Sequence, residues 1–215
     1  VEEMLPFLSE YYGNPSSMHV FGGVVEKKLI EARGRVASLL GAEPTEIIFT
    51  SCGTESDNMA IHSALMAAPQ KRHVITTKVE HPAVLNYCKQ LSKQGYGITF
   101  VSVDRDGMID LDELYDSLRE DTAVVSVMFA NNETGVIQPI REISKLARER
   151  GITFHTDAVQ GVGKIPVDVE KLGALVDVNG NAEEWWADPS LGAIDGPENY
   201  RPLDNRASVE RGKPI

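Results

Sequence analysis

The feature that most limits what this chain can become is an alternation of short β-branched runs with segments of helical period. The runs are "EIIFTS" (46–51), "HVITTKV" (73–79), "GITFVSV" (97–103), "TAVVSVMFA" (122–130) and "GITFHTDA" (151–158). Between and around them, apolar residues recur at helical spacing over 24–40, 56–68, 83–94, 112–119 and 140–150. Strands that are apolar almost throughout bury both faces, and strands separated by helices pair in parallel. The predicted fold class is therefore α/β, a mainly parallel sheet sandwiched by helices. A chain of 215 residues, 42% hydrophobic, has enough core for one large or two small domains. Helix starts are also marked. Thr54 precedes Asp57 at capping-box spacing, Asp110 stands three before Glu113, and Pro82 suits a first helical position.

In sheets of this kind ligands bind outside the carboxyl ends of the strands. That rule selects "TSCGTESDN", "VEHPAV", "FANNETG" and "HTDAVQ", each read as following a strand, and expects them to meet at one edge. A formal charge of -11 disfavours a nonspecific nucleic-acid binder, which needs clustered Lys and Arg. Cys52 and Cys88 make neither a disulfide framework nor a metal-ligand cluster, so a reducing cytoplasm is the expected location. No apolar run approaches the roughly 20 residues that span a bilayer. Val1 lies inside the acidic, amphipathic "VEEMLPFLSEYY", so the native start is expected upstream. Beyond residue 178 the composition shifts to Pro, Gly, Asn and Asp with no strand or helix period. Residues 1–178 are thus expected to form the domain and 179–215 an irregular, unrelated tail.

Each strand end carries two readings. "SCGTES" (51–56) places Gly53 and Thr54 at a helix start, where backbone N–H groups form an anion site; the plain alternative is a capped βα turn. His81 is a stacking or proton-handling imidazole, or a loop histidine facing solvent. Asn132 is an orienting amide beside Glu133, or part of an Asx-type turn ending in Gly135. Asp157 is the most demanding residue, because an acid at the end of a buried strand is costly without a cationic partner. A pyridinium nitrogen is one such partner, with Gln160 three residues on. A magnesium ion or a helix cap are the alternatives. Lys164 completes no phosphate loop, because Ala158 stands where the motif needs its first glycine and Ile165 where it needs Ser or Thr. It reads as a surface lysine.

Taken together, "YYGNPSSMHVFG" (11–22), "IIFTSCGTESDNMAI" (47–61), "EHPAVL" (80–85), "NNETGVIQPI" (131–140) and "HTDAVQGVGKIPVDV" (155–169) resemble the cysteine desulfurases. These are class V, fold-type I pyridoxal phosphate enzymes, and the nitrogen-fixation type is the nearest in flavour. The resemblance covers about residues 1–176. It implies pyridoxal 5'-phosphate as cofactor, with Gly53 and Thr54 at its phosphate and His81 stacked on the ring and moving protons. It also implies Asn132 and Gln160 at the ring hydroxyl and Asp157 at the pyridinium nitrogen. The family enzyme converts L-cysteine to L-alanine and an enzyme persulfide, which passes sulfur to an iron–sulfur scaffold or another acceptor protein. It does so as a homodimer.

The departures are equally specific. The family continues past a strand expected near "ALVDV" (174–178) into Ser-x-His-Lys, whose lysine forms the Schiff base; here "NGNAEEWW" follows. The nucleophilic cysteine and the arginine for the substrate carboxylate belong to family sequence that this chain does not carry. Cys52 sits at a small-residue position and Cys88 within a helix, and neither matches the nucleophile. The expectation is a desulfurase large-domain core joined to other sequence by truncation, frameshift or rearrangement. A selenocysteine lyase, another class V aminotransferase, or an inactive interaction module are the alternatives.

Overall fold

A computed structural model describes residues 2–177. The expected tail, with Trp185 and Trp186, lies outside the described residues. Five strands form one sheet in the order β2-β1-β3-β4-β5: β1 (His73–Thr77), β2 (Gly97–Val101), β3 (Thr122–Ser126), β4 (Thr153–Asp157) and β5 (Leu175–Asp177). Every pairing is parallel. Among the described residues the helices are α1 (Leu5–Ser9), α2 (Val20–Leu40), α3 (Gly53–Ala67), α4 (Pro82–Lys93), α5 (Leu111–Asp116), α6 (Ile140–Glu149) and α7 (Val169–Leu172).

Alternate strand residues face opposite layers, as the pleat requires. On one face Ile75, Val125 and Phe154 pack with Leu40 of α2, Leu114 of α5 and Ile143 and Ala147 of α6. On the other, Val74 and Val124 pack with Ile61, Ala64 and Leu65 of α3 and with Val84, Cys88 and Leu91 of α4. Both faces are thus covered, which is why the strands read as continuous apolar runs. Asp110 caps α5 by accepting from the Glu113 N–H at 2.9 Å, and Pro82 opens α4, both as expected.

Two expectations fail at the same place. Residues 46–51 form no strand: Pro44–Glu46 is a short 3-10 turn, and the chain then runs irregularly into α3. A strand exists only by pairing, and among the described residues this run has no ladder partner. Side chains hold it instead. Arg33 of α2 donates to the Ile47 carbonyl and lies over the Phe49 ring at 4.8 Å, while Ile48 stays 67% exposed. The capping box at Thr54 and Asp57 does not form either. Cys52 is the N-cap without a side-chain bond, and Asp57 turns inward to a buried position. Glu55 reaches back instead, accepting from both the backbone N–H and the hydroxyl of Ser51 at 2.6 Å.

Ile75 is 0% exposed at the centre of the sheet. Ile75→Ala should lower unfolding stability by about 2–5 kcal/mol, the usual range for a large-to-small core change. Urea unfolding followed by circular dichroism measures it, and a loss below about 1 kcal/mol would contradict this packing.

Candidate functional site

The strands end where the chain leaves the sheet, and two carboxyl groups are buried there. Asp157 is the last residue of β4 and only 8% exposed. Its Oδ1 accepts the Val159 N–H at 3.0 Å, an Asx-type turn that starts the following loop. The described residues give Oδ2 no hydrogen-bond partner. Burial pushes the Asp157 pKa up, against the downward pull of the Val159 N–H and the nearby His81 imidazole. This carboxylate is therefore held in a site that a cation or protonated nitrogen would relieve.

Glu80 is the second carboxyl, and motif reading passed over it in favour of its neighbour His81. It is 4% exposed between the ends of β1 and β3. Oε1 accepts from the Thr77 hydroxyl at 2.7 Å, and the Met128 N–H is shared between Oε1 at 3.0 Å and Oε2 at 3.1 Å. Burial pushes its pKa up to about 8, with the charge of Asp157 adding, while Thr77 and Met128 pull it down. Its signal in the sequence was an acid between two apolar runs, which alone does not separate a buried group from a loop residue.

His81 caps α4: its Nδ1 accepts the Ala83 N–H at 3.2 Å, which leaves Nε2 to carry the ring proton. The ring itself is exposed beside Asp157. Asn132 lies exposed on the loop after β3, and Gln160 is half-buried on the loop after β4. The Asx turn expected at "NNETG" is made by the preceding residue, Asn131. Its Oδ1 accepts the N–H groups of Glu133 and Thr134, both at 2.9 Å, and its Nδ2 donates to the Val79 carbonyl at 3.0 Å. The loop carrying Gln160 is pressed against the segment after β3, because a Cβ on Gly161 would meet Phe129 Cδ1 at 2.7 Å. Lys164 is exposed and donates to Gln160 Oε1 at 2.9 Å.

Gly53 and Thr54 open α3 instead of following a strand. Asp57 of α3 stands 3.6 Å from His155 of β4, whereas Ile61, Ala64 and Leu65 pack with Val74 and Val124 nearer the amino ends of their strands. The helix therefore runs back down the sheet, and its first turn points to the carboxyl edge. Asp157 lies on the same face as His155, two residues along, so it faces the α3 layer. Gly53, Thr54, His81, Asn132, Asp157 and Gln160 all belong to that edge. A cavity of about 1040 Å³ lies elsewhere, between residues 47–48, α3 and β5, and none of the six lines it. Its lining is mixed, with Glu43, Glu46, Arg148 and Glu170 beside apolar residues such as Ile47, Met59 and Phe154.

An all-parallel, helix-covered sheet with an acid and an imidazole at its carboxyl edge is the architecture of a fold-type I pyridoxal phosphate enzyme's large domain. The aminotransferase class-V family model matches residues 1–178, and this chain belongs to that family. Its relatives include a cysteine desulfurase of Nostoc sp., 53% identical over 99% of this chain and 54% of the relative. Another is the cysteine desulfurase NifS of Azotobacter vinelandii, 56% identical over 79% of this chain and 42% of NifS. Among solved structures, a NifS-like protein aligns at 43% identity and TM-score 0.77, over 80% of this chain and 48% of that one. SspA in complex with cysteine aligns at 35% identity and TM-score 0.80, over 83% and 52%. The chain thus spans about half the length of the curated relatives it matches. Among the described residues no helix is long and apolar enough to cross a membrane.

Because Glu80 keeps its proton in the folded state, it contributes stability that is complete below about pH 4.5 and lost as pH rises to about 8. Glu80→Gln should flatten that fall, with the variant gaining on the parent by a few kcal/mol, in order of magnitude, between pH 5 and pH 8. Urea unfolding of both chains across that interval measures it. Parallel pH curves would place Glu80 in water.

Proposed function

We propose that this chain is the cofactor-binding part of a cysteine desulfurase. The complete enzyme would convert L-cysteine to L-alanine and an enzyme persulfide for an iron–sulfur scaffold or another sulfur-acceptor protein. The observation that carries this reading is the buried Asp157 carboxylate, whose Oδ2 has no hydrogen-bond partner among the described residues, beside His81 and facing the layer that α3 opens. The similarity to named cysteine desulfurases supports the substrate class.

The residues present fit pyridoxal 5'-phosphate. Its ring nitrogen, when protonated, would satisfy the unpaired Asp157 oxygen and bring that raised pKa back down. The α3 N-terminus at Gly53 and Thr54 would receive the phosphate through backbone N–H groups and the Thr54 hydroxyl. His81, its Nδ1 already committed to the Ala83 N–H, presents an exposed ring for stacking and a proton at Nε2. Asn132 and Gln160, on adjacent loops, would orient the ring hydroxyl. Bound there, the cofactor supplies an electron sink for the α-carbon of an amino acid. Asp157 keeps the ring nitrogen charged, and its own burial limits the access of water to that pair.

Assembly as a homodimer is supported by apolar residues left exposed along α1, α2 and the segment between them, among them Leu8 at 77%, Met18 at 102% and Val20 at 89%. Two free cysteines, Cys52 and Cys88, suit a reducing compartment such as the cytoplasm. Burial pushes the Cys88 thiol up to about 12, which makes it a poor nucleophile.

The 215-residue chain should bind pyridoxal 5'-phosphate without covalent capture at Lys164 and without steady desulfurase turnover, since Ser-x-His-Lys and the nucleophilic cysteine are absent from its sequence. Asp157→Ala should weaken cofactor binding about 10-fold or more, the worth of a hydrogen bond to a charged group. Lys164→Ala should change it little. Absorbance titration, borohydride trapping with peptide mapping, and alanine release from L-cysteine test these outcomes. A pyridoxyl group on Lys164, or turnover like that of a complete desulfurase, would overturn the assignment.

A further inference from the structure

One buried polar chain is not used by the site residues above. Ser126 and His155 are paired neighbours in β3 and β4, and the Ser126 hydroxyl lies 2.9 Å from His155 Nδ1. His155 Nε2 stands 3.6 Å from Asp57 Oδ1 of α3. Ser126 and His155 are 0% exposed, and Asp57 is 2% exposed. Burial pushes the His155 pKa down to about 4, so the ring is neutral near pH 7. In the tautomer with the ring N–H on Nε2, Nδ1 accepts the Ser126 hydroxyl and the N–H faces the Asp57 carboxyl across a distance longer than a direct hydrogen bond.

Three polar groups in a dry layer cost stability relative to apolar residues of the same shape, and such groups are retained where they specify one arrangement. Their position shows what they specify. Asp57 lies three residues after Thr54, a rise of about 4.5 Å, and His155 lies two residues before Asp157, about 6.6 Å. The contact therefore sits directly beneath both ends of the edge described above. The packing of Ile61, Ala64 and Leu65 on Val74 and Val124 is non-directional and permits small slides of α3 along the sheet. A polar contact to one ring nitrogen does not.

We propose that Ser126, His155 and Asp57 are positioning residues that set the axial place of α3 on β4. They would thereby fix the separation between the phosphate seat at Gly53 and Thr54 and the acid at Asp157, and so the preference of the site for a phosphorylated ring. This inference rests on the cofactor reading above. A binding geometry misplaced by about 1 Å is enough to cost on the order of 100-fold in a positioned reaction, and a preference set by two fixed ends is similarly sensitive.

The test compares pyridoxine 5'-phosphate with pyridoxine, which lack the aldehyde and so do not react with surface lysines. Affinities for the full 215-residue chain are read by isothermal calorimetry. The parent should prefer the phosphorylated compound. Asp57→Ala and Ser126→Ala should each lower that preference about 10-fold while leaving pyridoxine affinity within about 2-fold. Asp57→Asn, which keeps an acceptor at the same place, should restore most of it, and the double Ala variant should lose no more than either single one. If Asp57→Ala loses its native circular dichroism, Ser126→Ala and Asp57→Asn carry the comparison. A folded Ser126→Ala chain with the parent's preference overturns the positioning role and leaves the cofactor reading intact. A parent with no preference for the phosphorylated ring overturns the cofactor reading, and the inference with it.

Discussion

Glu80 ties together the ends of two strands that pair side by side in the sheet. Its carboxyl takes the Thr77 hydroxyl at the end of β1 and the Met128 N–H just beyond β3, so one side chain ties both exits. The stretch after β3 then stays on course, with the Val127 N–H on the His155 carbonyl at 3.1 Å and the Phe129 N–H on the Asp157 carbonyl at 2.7 Å. Asn131 adds a bond from the same stretch back to Val79. The loops that carry His81, Asn132 and Gln160 all spring from this knot. A carboxyl group accepts from several donors at once in a way no apolar residue can, which offsets part of the cost of burying it.

The same burial creates the electrostatic character of the edge. Two carboxyl groups in a region short of water cannot both remain ionised without expense, and Glu80 takes the larger upward shift, to about 8. Asp157 is raised less decisively because the Val159 N–H and His81 favour its charge. Burial thus raises both acids, and Glu80 far enough to keep a structural proton near neutral pH. A carboxyl group whose charge is disfavoured by burial is one that a cationic ligand group would relieve.

The class-V family match and the relatives bear on the fold that carries this edge. The alignments run over most of the described residues yet cover about half of each relative. What these residues hold in common with those relatives is the class-V family match over residues 1–178. In parallel sheets of this kind the carboxyl edge is where ligands seat.

Strand and helix positions were legible in the sequence wherever local period and burial agree. The runs at 73–79, 97–103, 122–130 and 151–158 became β1 to β4, and Pro82 and Asp110 opened helices through chemistry confined to a few neighbouring residues. The identities of His81, Asp157 and Gln160 as edge residues were equally readable, because each falls at or just past a strand or helix boundary that the pattern announces. Tertiary structure decided what depends on distant partners. Residues 46–51 have strand composition but no ladder partner among the described residues, so Arg33 and Phe49 determine their path instead. Asp57 has capping spacing, yet it faces His155, which lies 98 positions away in the chain, because the direction of α3 on the sheet turns it inward. Glu80 is an unremarkable acid in the sequence, and it becomes the tie of the carboxyl edge only when β1 and β3 lie side by side. Local spacing fixes which residues sit at an element's ends, and only packing of one element on another determines which of them are buried, charged and aimed at a common point.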